Sequence, residues 1–282
     1  MHPLPSYEVQ QGLSSHPRIR NVIAVGSGKG GVGKSTITVN LALTLQALGA
    51  KVGILDADVY GPSVPTMLGL HHSPEISQTQ QIIPLRAFGL EAMSIGFLVD
   101  KDTPMIWRGP MATSALQQMF NQTHWDNLDC LLVDLPPGTG DIQLSLAQKI
   151  PLAGAVVVTT PQDVATADAR KALQMFEKLH IPVLGIVENM AMHICAQCGH
   201  TEHIFGEGGG EQMASQYHVK LLGRLPLQKD IRMYGDQGEP IVHAAPNSTV
   251  SVIYRSIAEN MLNILSKRPR ARIPIVTSPN HR

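Results

Sequence analysis

The sequence is poor in cysteine and in aromatic residues, and neither sign of charge is in excess. Of its 282 residues only three are cysteines and 4% are aromatic, and 22 basic residues balance 22 acidic ones to a formal net charge of zero. A dedicated nucleic-acid-binding domain usually carries a basic excess, so we expect no nucleic-acid partner. Three cysteines are too few for a disulfide-stabilised scaffold, which favours a reducing compartment, and we expect a cytoplasmic protein.

Long apolar runs are absent as well. No stretch of about 18 uncharged apolar residues occurs, so no membrane-spanning helix is predicted and we expect no membrane partner. Residues 1–20 lack the apolar core of a signal peptide. Hydrophobic residues nevertheless make up 43% of the chain, which is near the globular average and excludes a disordered chain.

What the sequence does contain is a regular alternation of short apolar runs and segments with helical spacing. Val22–Val25 predicts a buried strand, Lys34–Leu48 a helix that ends at Gly49, and Lys51–Leu55 a second strand. A strand–helix–strand unit of this kind is the signature of a parallel sheet. The chain is therefore predicted to be an α/β protein with a doubly wound, mostly parallel sheet.

The same alternation predicts the remaining elements and the domain boundaries. Gln81–Leu98 predicts a hairpin inserted into the α/β order, and residues 190–204 form a loop rich in cysteine and histidine. Residues 20–266 are the predicted domain, between a flexible arm over 1–19 and a flexible tail over 267–282. Further helices and strands are predicted at Ala112–Phe120, Cys130–Asp134, Ile142–Gln148, Gly154–Thr160, Val164–Leu179, Val183–Val187, Gly210–Tyr217, Val219–Gly223 and Val250–Leu265.

A phosphate-binding motif lies between the first strand and the first helix. The segment Gly28–Ser35 fits the pattern G-x-x-x-x-G-K-[ST] in the strand–loop–helix context that the motif requires. Glycines let the backbone N–H groups turn toward the phosphates, and the helix N-terminus adds positive potential. Lys34 is predicted to reach the β- and γ-phosphates of ATP, and the Ser35 hydroxyl to bind Mg²⁺. The remaining predicted nucleotide-binding residues of this segment are Gly28, Gly30, Gly31, Val32, Gly33 and Thr36.

Three aspartates follow predicted strands. Asp56 and Asp58 come directly after the second strand, and Asp134 ends the apolar strand that begins at Cys130. A single aspartate at a strand end is often a helix N-cap, but three of them beside a phosphate loop favour a metal site. Asp134 fits the Walker B pattern and is predicted to hold Mg²⁺ through water, with Asp56 in support nearby.

The third informative feature is the pair Cys195 and Cys198. Two thiols at this spacing can share a metal, but one chain offers only half of a four-cysteine ligand set, since Cys130 belongs to a predicted core strand. Three interpretations stay open: an iron–sulfur cluster shared between two chains, a zinc ion completed by histidines, and a redox dithiol. The histidines considered for zinc are His193, His200 and His203.

The phosphate loop carries a second lysine, Lys29, and G-K-G-G-x-G-K-[ST] resembles the deviant Walker A motif of the SIMIBI-class P-loop ATPases. That class includes the nitrogenase iron protein and the MinD and ParA families. The resemblance implies that Lys29 reaches across a homodimer interface to the partner's nucleotide. It also implies that Asp58 orients the attacking water and that Asn189 contacts adenine.

Taken together, the motifs resemble the Mrp/ApbC-type iron–sulfur cluster carrier ATPases. The matching segments are Ser27–Thr36, Leu55–Ser63, Trp107–Met111, Val133–Asp141, Thr160–Asp163 and Val187–Met190, followed by Cys195 and Cys198. The resemblance implies a homodimeric ATP hydrolase in which Cys195 and Cys198 of two subunits bind a bridging [4Fe–4S] cluster. It also implies that cluster donors load the protein and that apo-proteins receive the cluster.

The chain departs from this family pattern near its N-terminus. Only the short arm precedes the phosphate-loop strand, whereas many bacterial members carry a further domain there, and the first cysteine is Cys130. We therefore expect no second cluster site. The alternative function is a MinD- or ParA-like positioning ATPase with a structural zinc at the cysteine pair. The MinD form of that alternative needs an amphipathic C-terminal helix, which three prolines after Ser266 disfavour.

Overall fold

The computed structural model describes residues 4–98 and 109–271. Trp107, Arg108 and residues 272–282 of the predicted tail lie outside this part of the chain. In the described residues the strands are β1 (Val22–Ser27), β2 (Val52–Asp56), β3 (Leu85–Ala87), β4 (Leu90–Ser94), β5 (Cys130–Asp134), β6 (Gly154–Thr159), β7 (Val183–Glu188), β8 (His193–Ile194), β9 (Thr201–Glu202) and β10 (Leu221–Arg224). The helices are α1 (Lys34–Ala47), α2 (Val64–Met67), α3 (Gly109–Gln122), α4 (Asp141–Lys149), α5 (Asp163–Lys178), α6 (Gly209–Gln216), α7 (Lys229–Asp236), α8 (Ile241–Ala244) and α9 (Thr249–Ser266).

Eight of these strands form one sheet in the order β10-β7-β6-β1-β5-β2-β4-β3. All neighbouring pairs are parallel except β3 and β4. Alternate residues of the strands enter two separate cores, one covered by α1, α8 and α9 and the other by α3 to α6. The doubly wound α/β fold predicted from the sequence is therefore confirmed. None of the described helices is long and apolar enough to cross a bilayer.

The central strand β1 lies where the strand order changes direction. Its neighbours are β5 and β6, so the connections leave it toward both sides of the sheet. In open parallel sheets, ligands bind at such a switch point, outside the carboxyl ends of the strands. The phosphate loop leaves β1 at this end, and Asp134 of β5 and Asp56 of β2 stand in register on neighbouring strands there.

The predicted hairpin is part of the main sheet and not a separate insertion. The chain reverses between β3 and β4 at Phe88 and Gly89, which both have positive φ values of 52° and 80°. A two-residue turn of this kind suits tight hairpins. Strand β4 then pairs in parallel with β2, so the hairpin extends the sheet at its edge.

Some elements were not predicted. Helices α2, α7 and α8 are short and follow prolines or polar turns, so they contain no long apolar period from which a helix could be predicted. Strands β8 and β9 form a two-residue antiparallel pair inside the segment predicted as a cysteine-rich loop. Short elements of this kind depend on the contacts that surround them.

Residues 4–19 do not form the flexible arm that the sequence predicted. Tyr7 is buried, and its backbone N–H donates to the Asn21 side chain at 3.1 Å. The buried Gln10 amide donates to the carbonyl oxygens of Ala147 at 2.7 Å and Ile150 at 3.3 Å, and it accepts from the Leu152 N–H at 2.7 Å. A single amide thus fixes the segment to the end of α4 and the start of β6.

The first residues of the predicted tail are held by the same segment. The Glu8 N–H donates to the Pro269 carbonyl at 3.0 Å, and the Ala271 N–H donates to the Ser6 carbonyl at 2.9 Å. The two ends of the described chain therefore pair with each other. The sequence did not predict this pairing, because partners so distant from each other leave no local pattern. The prolines and mixed polarity of both segments instead suggested flexible ends.

We predict that Gln10→Ala lowers the free energy of unfolding by about 1–3 kcal/mol, because it leaves buried backbone groups without partners. Denaturant unfolding followed by circular dichroism measures the change. The matched control is Gln11→Ala, since Gln11 is exposed in the adjacent turn and should change stability by less than about 0.5 kcal/mol. Equal losses for the two variants would show that the segment is not anchored through Gln10.

Candidate functional site

The phosphate loop is shaped by glycines that no other residue could replace without strain. Gly31 and Gly33 have φ values of 81° and 84°, in the left-handed region that glycine adopts at low cost. A Cβ at Gly28 would overlap the backbone of Asp168 and Ala169 in α5. The loop is therefore seated against α5 on one side and opens into α1 on the other.

Asp134 is the centre of the polar contacts behind the loop. Its carboxylate is fully buried, and the Lys34 ammonium lies 2.9 Å from Oδ1. The Ser35 hydroxyl donates to Oδ2 at 2.5 Å, and the Thr38 hydroxyl donates to Oδ1 at 2.7 Å. One carboxylate thus contacts both the lysine and the serine of the phosphate-loop motif.

Asp56 is the second buried carboxylate at this edge. Its oxygens accept from the Ser94 hydroxyl at 3.0 Å and from the backbone N–H groups of Val64 at 3.2 Å and Asp58 at 3.1 Å. Burial, and then the neighbouring charge of Asp134, raise the pKa of Asp56 to about 7. Two carboxylates this close, with one of them reluctant to ionise, are what a divalent cation would stabilise.

The remaining predicted catalytic residues border a cleft of about 210 Å³ in front of the loop. Lys29 and Asp58 line it together with Lys34 and Ser35. Asp58 is partly exposed and its carboxylate accepts from the Tyr60 N–H at 3.3 Å. Lys29 forms no ion pair with residues 4–98 or 109–271, so its ammonium is available within that part of the chain.

A second cavity of about 300 Å³ adjoins this cleft, and we call it the base pocket because its wall includes Asn189, which we expect to contact adenine. It shares Gly33, Thr36 and Met67 with the cleft, and its other walls are Asn189, Met190, Pro226–Gln228 and residues of α7. The Asn189 amide nitrogen donates to the Val32 carbonyl of the phosphate loop at 2.9 Å. The structure thus brings Asn189 into contact with the loop, although 157 residues separate it from Val32, and its contact with adenine stays a prediction.

The cysteine pair lies at the tip of the β8–β9 hairpin, which we call the cysteine hairpin. The Cys195 N–H donates to the His200 carbonyl at 2.9 Å, and the Gly199 N–H donates to the Cys195 carbonyl at 2.9 Å. Cys195 is half-buried and Cys198 is exposed, and neither is in a disulfide. Both sulfurs therefore stand on a short turn that a second molecule can approach.

Cys195 and Cys130 differ in the ease with which they form the thiolate that binds metal. The backbone N–H of Cys198, then that of Gln197, and then the Cys198 thiol lower the pKa of the Cys195 thiol. Burial in β5 instead raises the pKa of Cys130 to about 12. Cys195 is consequently suited to metal binding, whereas Cys130 behaves as a core residue.

Two of the three histidines considered as zinc ligands each use one ring nitrogen in a hydrogen bond to a backbone carbonyl. A ring nitrogen of His193 donates to the Leu227 carbonyl at 3.2 Å, and one of His203 donates to the Ala191 carbonyl at 2.9 Å. Over residues 4–98 and 109–271, no three His, Cys, Asp or Glu side chains stand close enough together to hold a metal ion. The geometry of a single chain thus does not bring the proposed Cys₂His₂ set together.

Sequence reasoning missed two residues of the site. Thr38 lies one turn after Lys34 on α1, and this i, i+4 spacing could have identified it as a further donor toward Asp134. Ser94 ends β4 beside Asp56, and its role depends on the β2–β4 pairing. That pairing is not visible in the sequence.

Comparison with known proteins agrees with this geometry. A family model described as ParA, NUBPL iron-transfer P-loop NTPase, matches residues 18–262. The chain is 55% identical to a Pseudomonas fragi protein named iron-sulfur cluster carrier protein, over 254 residues that make up 89% of this chain and 88% of that protein. It is 57% identical over 244 residues to the Escherichia coli K12 protein of the same name, covering 86% of this chain and 66% of that longer protein.

A plant relative and two solved structures extend the comparison. The Arabidopsis thaliana iron-sulfur protein required for NADH dehydrogenase is 47% identical over 250 residues, 88% of this chain and 80% of that protein. A nucleotide-binding protein of Archaeoglobus fulgidus in complex with ADP is 40% identical with a TM-score of 0.69, covering 78% of this chain and 87% of that one. The Pyrococcus furiosus cell division ATPase MinD shares the fold at 22% identity and a TM-score of 0.67, over 86% and 99% of the two chains. The chain therefore belongs to the family of NUBPL-type iron-transfer P-loop NTPases.

Proposed function

We propose that this protein is an ATP-dependent carrier that holds a [4Fe–4S] cluster between two copies of the chain and transfers it to apo-proteins. The observation that carries the proposal is the pair Cys195 and Cys198, at the tip of a surface hairpin whose first residues are hydrogen-bonded to Leu227 in the wall of the base pocket. The names of the bacterial relatives support a carrier role. The free cysteines suit a reducing compartment, and we place the carrier in the cytoplasm, without nucleic-acid or membrane partners.

The dimer follows from the number of ligands. A [4Fe–4S] cluster is usually held by four cysteine thiolates, and one chain supplies two at its surface while burying Cys130 in β5. Two cysteine hairpins placed face to face complete the set. A cluster held on two exposed hairpins is accessible to an acceptor protein, which suits a cargo that must be released.

The nucleotide site supplies the other half of the function. Ser35, Asp134 and Asp56 present the oxygen ligands that Mg²⁺ prefers, and the raised pKa of Asp56 marks a place where a cation would relieve repulsion. Mg²⁺ bound there would neutralise charge on the phosphates of ATP. Lys34 and the loop N–H groups bind the β- and γ-phosphates, and the base lies in the pocket beside Asn189.

Hydrolysis needs a positioned water and a further positive charge. Asp58 borders the cleft in front of the loop and is our candidate for orienting the water. Lys29 lines the same cleft, and in the dimer it would reach the partner's nucleotide and stabilise charge that develops on the phosphates.

We expect Lys34→Ala to lower ATP turnover roughly a hundredfold or more, because it removes the cation at the β- and γ-phosphates. Phosphate release measures turnover, and anaerobic cluster loading serves as the control and should stay at the parent level. Turnover that survives in this variant would show that Gly28–Ser35 is not the site of hydrolysis.

The second lysine should behave differently. Lys29→Ala is expected to retain nucleotide binding by a single chain, while ATP turnover falls roughly a hundredfold or more, because charge stabilisation from the partner is lost. Equilibrium dialysis with labelled ADP measures binding. An equal loss of binding in the Lys29 and Lys34 variants would argue that Lys29 acts within its own chain.

The cluster assignment is tested by Cys195→Ser combined with Cys198→Ser. After anaerobic reconstitution with iron and sulfide, the parent should bind about four irons per dimer and the double variant almost none. Cys130→Ala is the matched control and should load normally, because Cys130 is buried away from the hairpin. Equal loading of parent and double variant would refute the site, and stoichiometric zinc that resists exchange for iron would favour a zinc protein.

A further inference from the structure

We propose that nucleotide in the base pocket controls the accessibility of the cysteine pair through a backbone segment that both sites share, with Met190 as the rigid joint. The inference rests on the proposed function, because it takes the base pocket as the nucleotide site and the cysteine hairpin as the cluster site. It goes further by assigning the residues that connect the two.

Leu227 belongs to both sites. It lines the base pocket, and its backbone is bonded entirely to the root of the cysteine hairpin. Its N–H donates to the Met192 carbonyl at 2.7 Å, and its carbonyl accepts from the His193 ring at 3.2 Å. If Leu227 moves in the pocket wall, Met192 and His193 at the start of β8 move with it.

The neighbouring backbone continues the same connection. The Ala191 N–H donates to the Leu225 carbonyl at 2.9 Å, and the Leu225 N–H donates to the Glu188 carbonyl at 2.9 Å. Residues 188–193 and 224–228 thus run side by side from the sheet to the hairpin. Asn189 and Met190 on the first segment and Pro226 on the second face the base pocket, so a base in the pocket touches both.

Glu188 joins the two ends of the longer segment, residues 188–210, that contains the cysteine hairpin. Its buried carboxylate accepts from the Gly210 N–H at 2.6 Å, at the start of α6, and from Arg224 Nε at 3.1 Å. The segment that carries the cysteines is thereby closed into a loop at its base. Asn189 and Met190, which line the base pocket, lie between this fixed point and β8.

Met190 provides the stiffness that this transmission needs. It has a φ of 56°, in the left-handed region that few non-glycine residues occupy, and it stands between Asn189 and Ala191. Strained backbone of this kind is concentrated at functional sites. The Cβ of Met190 confines its backbone to a narrow range, so movement of Asn189 passes to Ala191, whereas a glycine would absorb it.

The test measures alkylation of the cysteines by iodoacetamide in the cluster-free 282-residue chain, with and without saturating Mg-ADP. Peptide mass spectrometry gives a separate rate for each cysteine, and the buried Cys130 reports unfolding. We expect Mg-ADP to slow alkylation of Cys195 at least about fivefold, because a filled pocket holds the wall from which the hairpin extends. For each variant, the Cys195 alkylation rate without Mg-ADP is divided by the rate with Mg-ADP. A substitution that changes the reactivity of the thiol itself affects both rates equally and leaves this ratio unchanged.

Met190→Gly and Met190→Ala form a matched pair, because both remove the same side chain from the pocket and only alanine keeps a Cβ. The ratio should fall toward one in the glycine variant and stay near the parent value in the alanine variant. The same ratio in both would overturn Met190 as the joint.

A second pair remains informative if the glycine variant does not fold. His193→Ala removes the ring contact with Leu227 and should reduce the ratio, whereas His200→Ala, at the exposed tip, should not. Dialysis with labelled ADP distinguishes a failure of the coupling from a failure of nucleotide binding itself. ADP that binds without changing the Cys195 rate overturns the coupling alone, and ADP that does not bind refutes the nucleotide part of the proposed function.

Discussion

The buried carboxylate of Asp134 is the interaction on which the arrangement of the nucleotide site depends. It receives the Lys34 ammonium at 2.9 Å and the hydroxyls of Ser35 and Thr38, and the carboxylate itself is fully buried. An unpartnered charge there would be strongly destabilising. The carboxylate therefore fixes the start of α1 against the end of β5, and with it the loop that joins β1 to α1.

Parallel pairing of the strands places the other parts of the site beside that contact. Because β1, β2 and β5 end at the same edge, Asp134, Asp56 and the phosphate loop meet without any long side chain having to reach. The same geometry raises the pKa of Asp56, since burial and a neighbouring carboxylate both oppose its ionisation. A cation at this edge would offset both costs, which links the fold directly to magnesium chemistry.

The cysteine hairpin shares this edge of the sheet through β7 and β10. Its root is hydrogen-bonded to Leu225 and Leu227, and Leu227 also forms part of the base pocket. The cysteine hairpin and the base pocket are thus connected through Leu227, although Cys195 and the phosphate loop are far apart in the sequence. A carrier that releases its cargo in response to nucleotide would require such proximity.

Much of the fold followed from local patterns. The periodicity of apolar residues located the long helices and the central strands, and the glycine and lysine spacing located the phosphate loop. The same patterns failed for Gln10 and Tyr7, whose partners lie far along the chain, and for the short helices around the base pocket. In each failure the decisive contact joins segments that are distant in sequence.

The sequence by itself determined the residue types of the site, because phosphate, magnesium and iron chemistry each demand particular donors at close spacing. It also determined that one chain carries only two cysteines suited to a cluster. Only the tertiary structure decided that Asn189 meets the phosphate loop, that Ser94 supports Asp56, and that Leu227 serves two sites. Those contacts depend on strand order and on loops packed against one another, and no local periodicity encodes them.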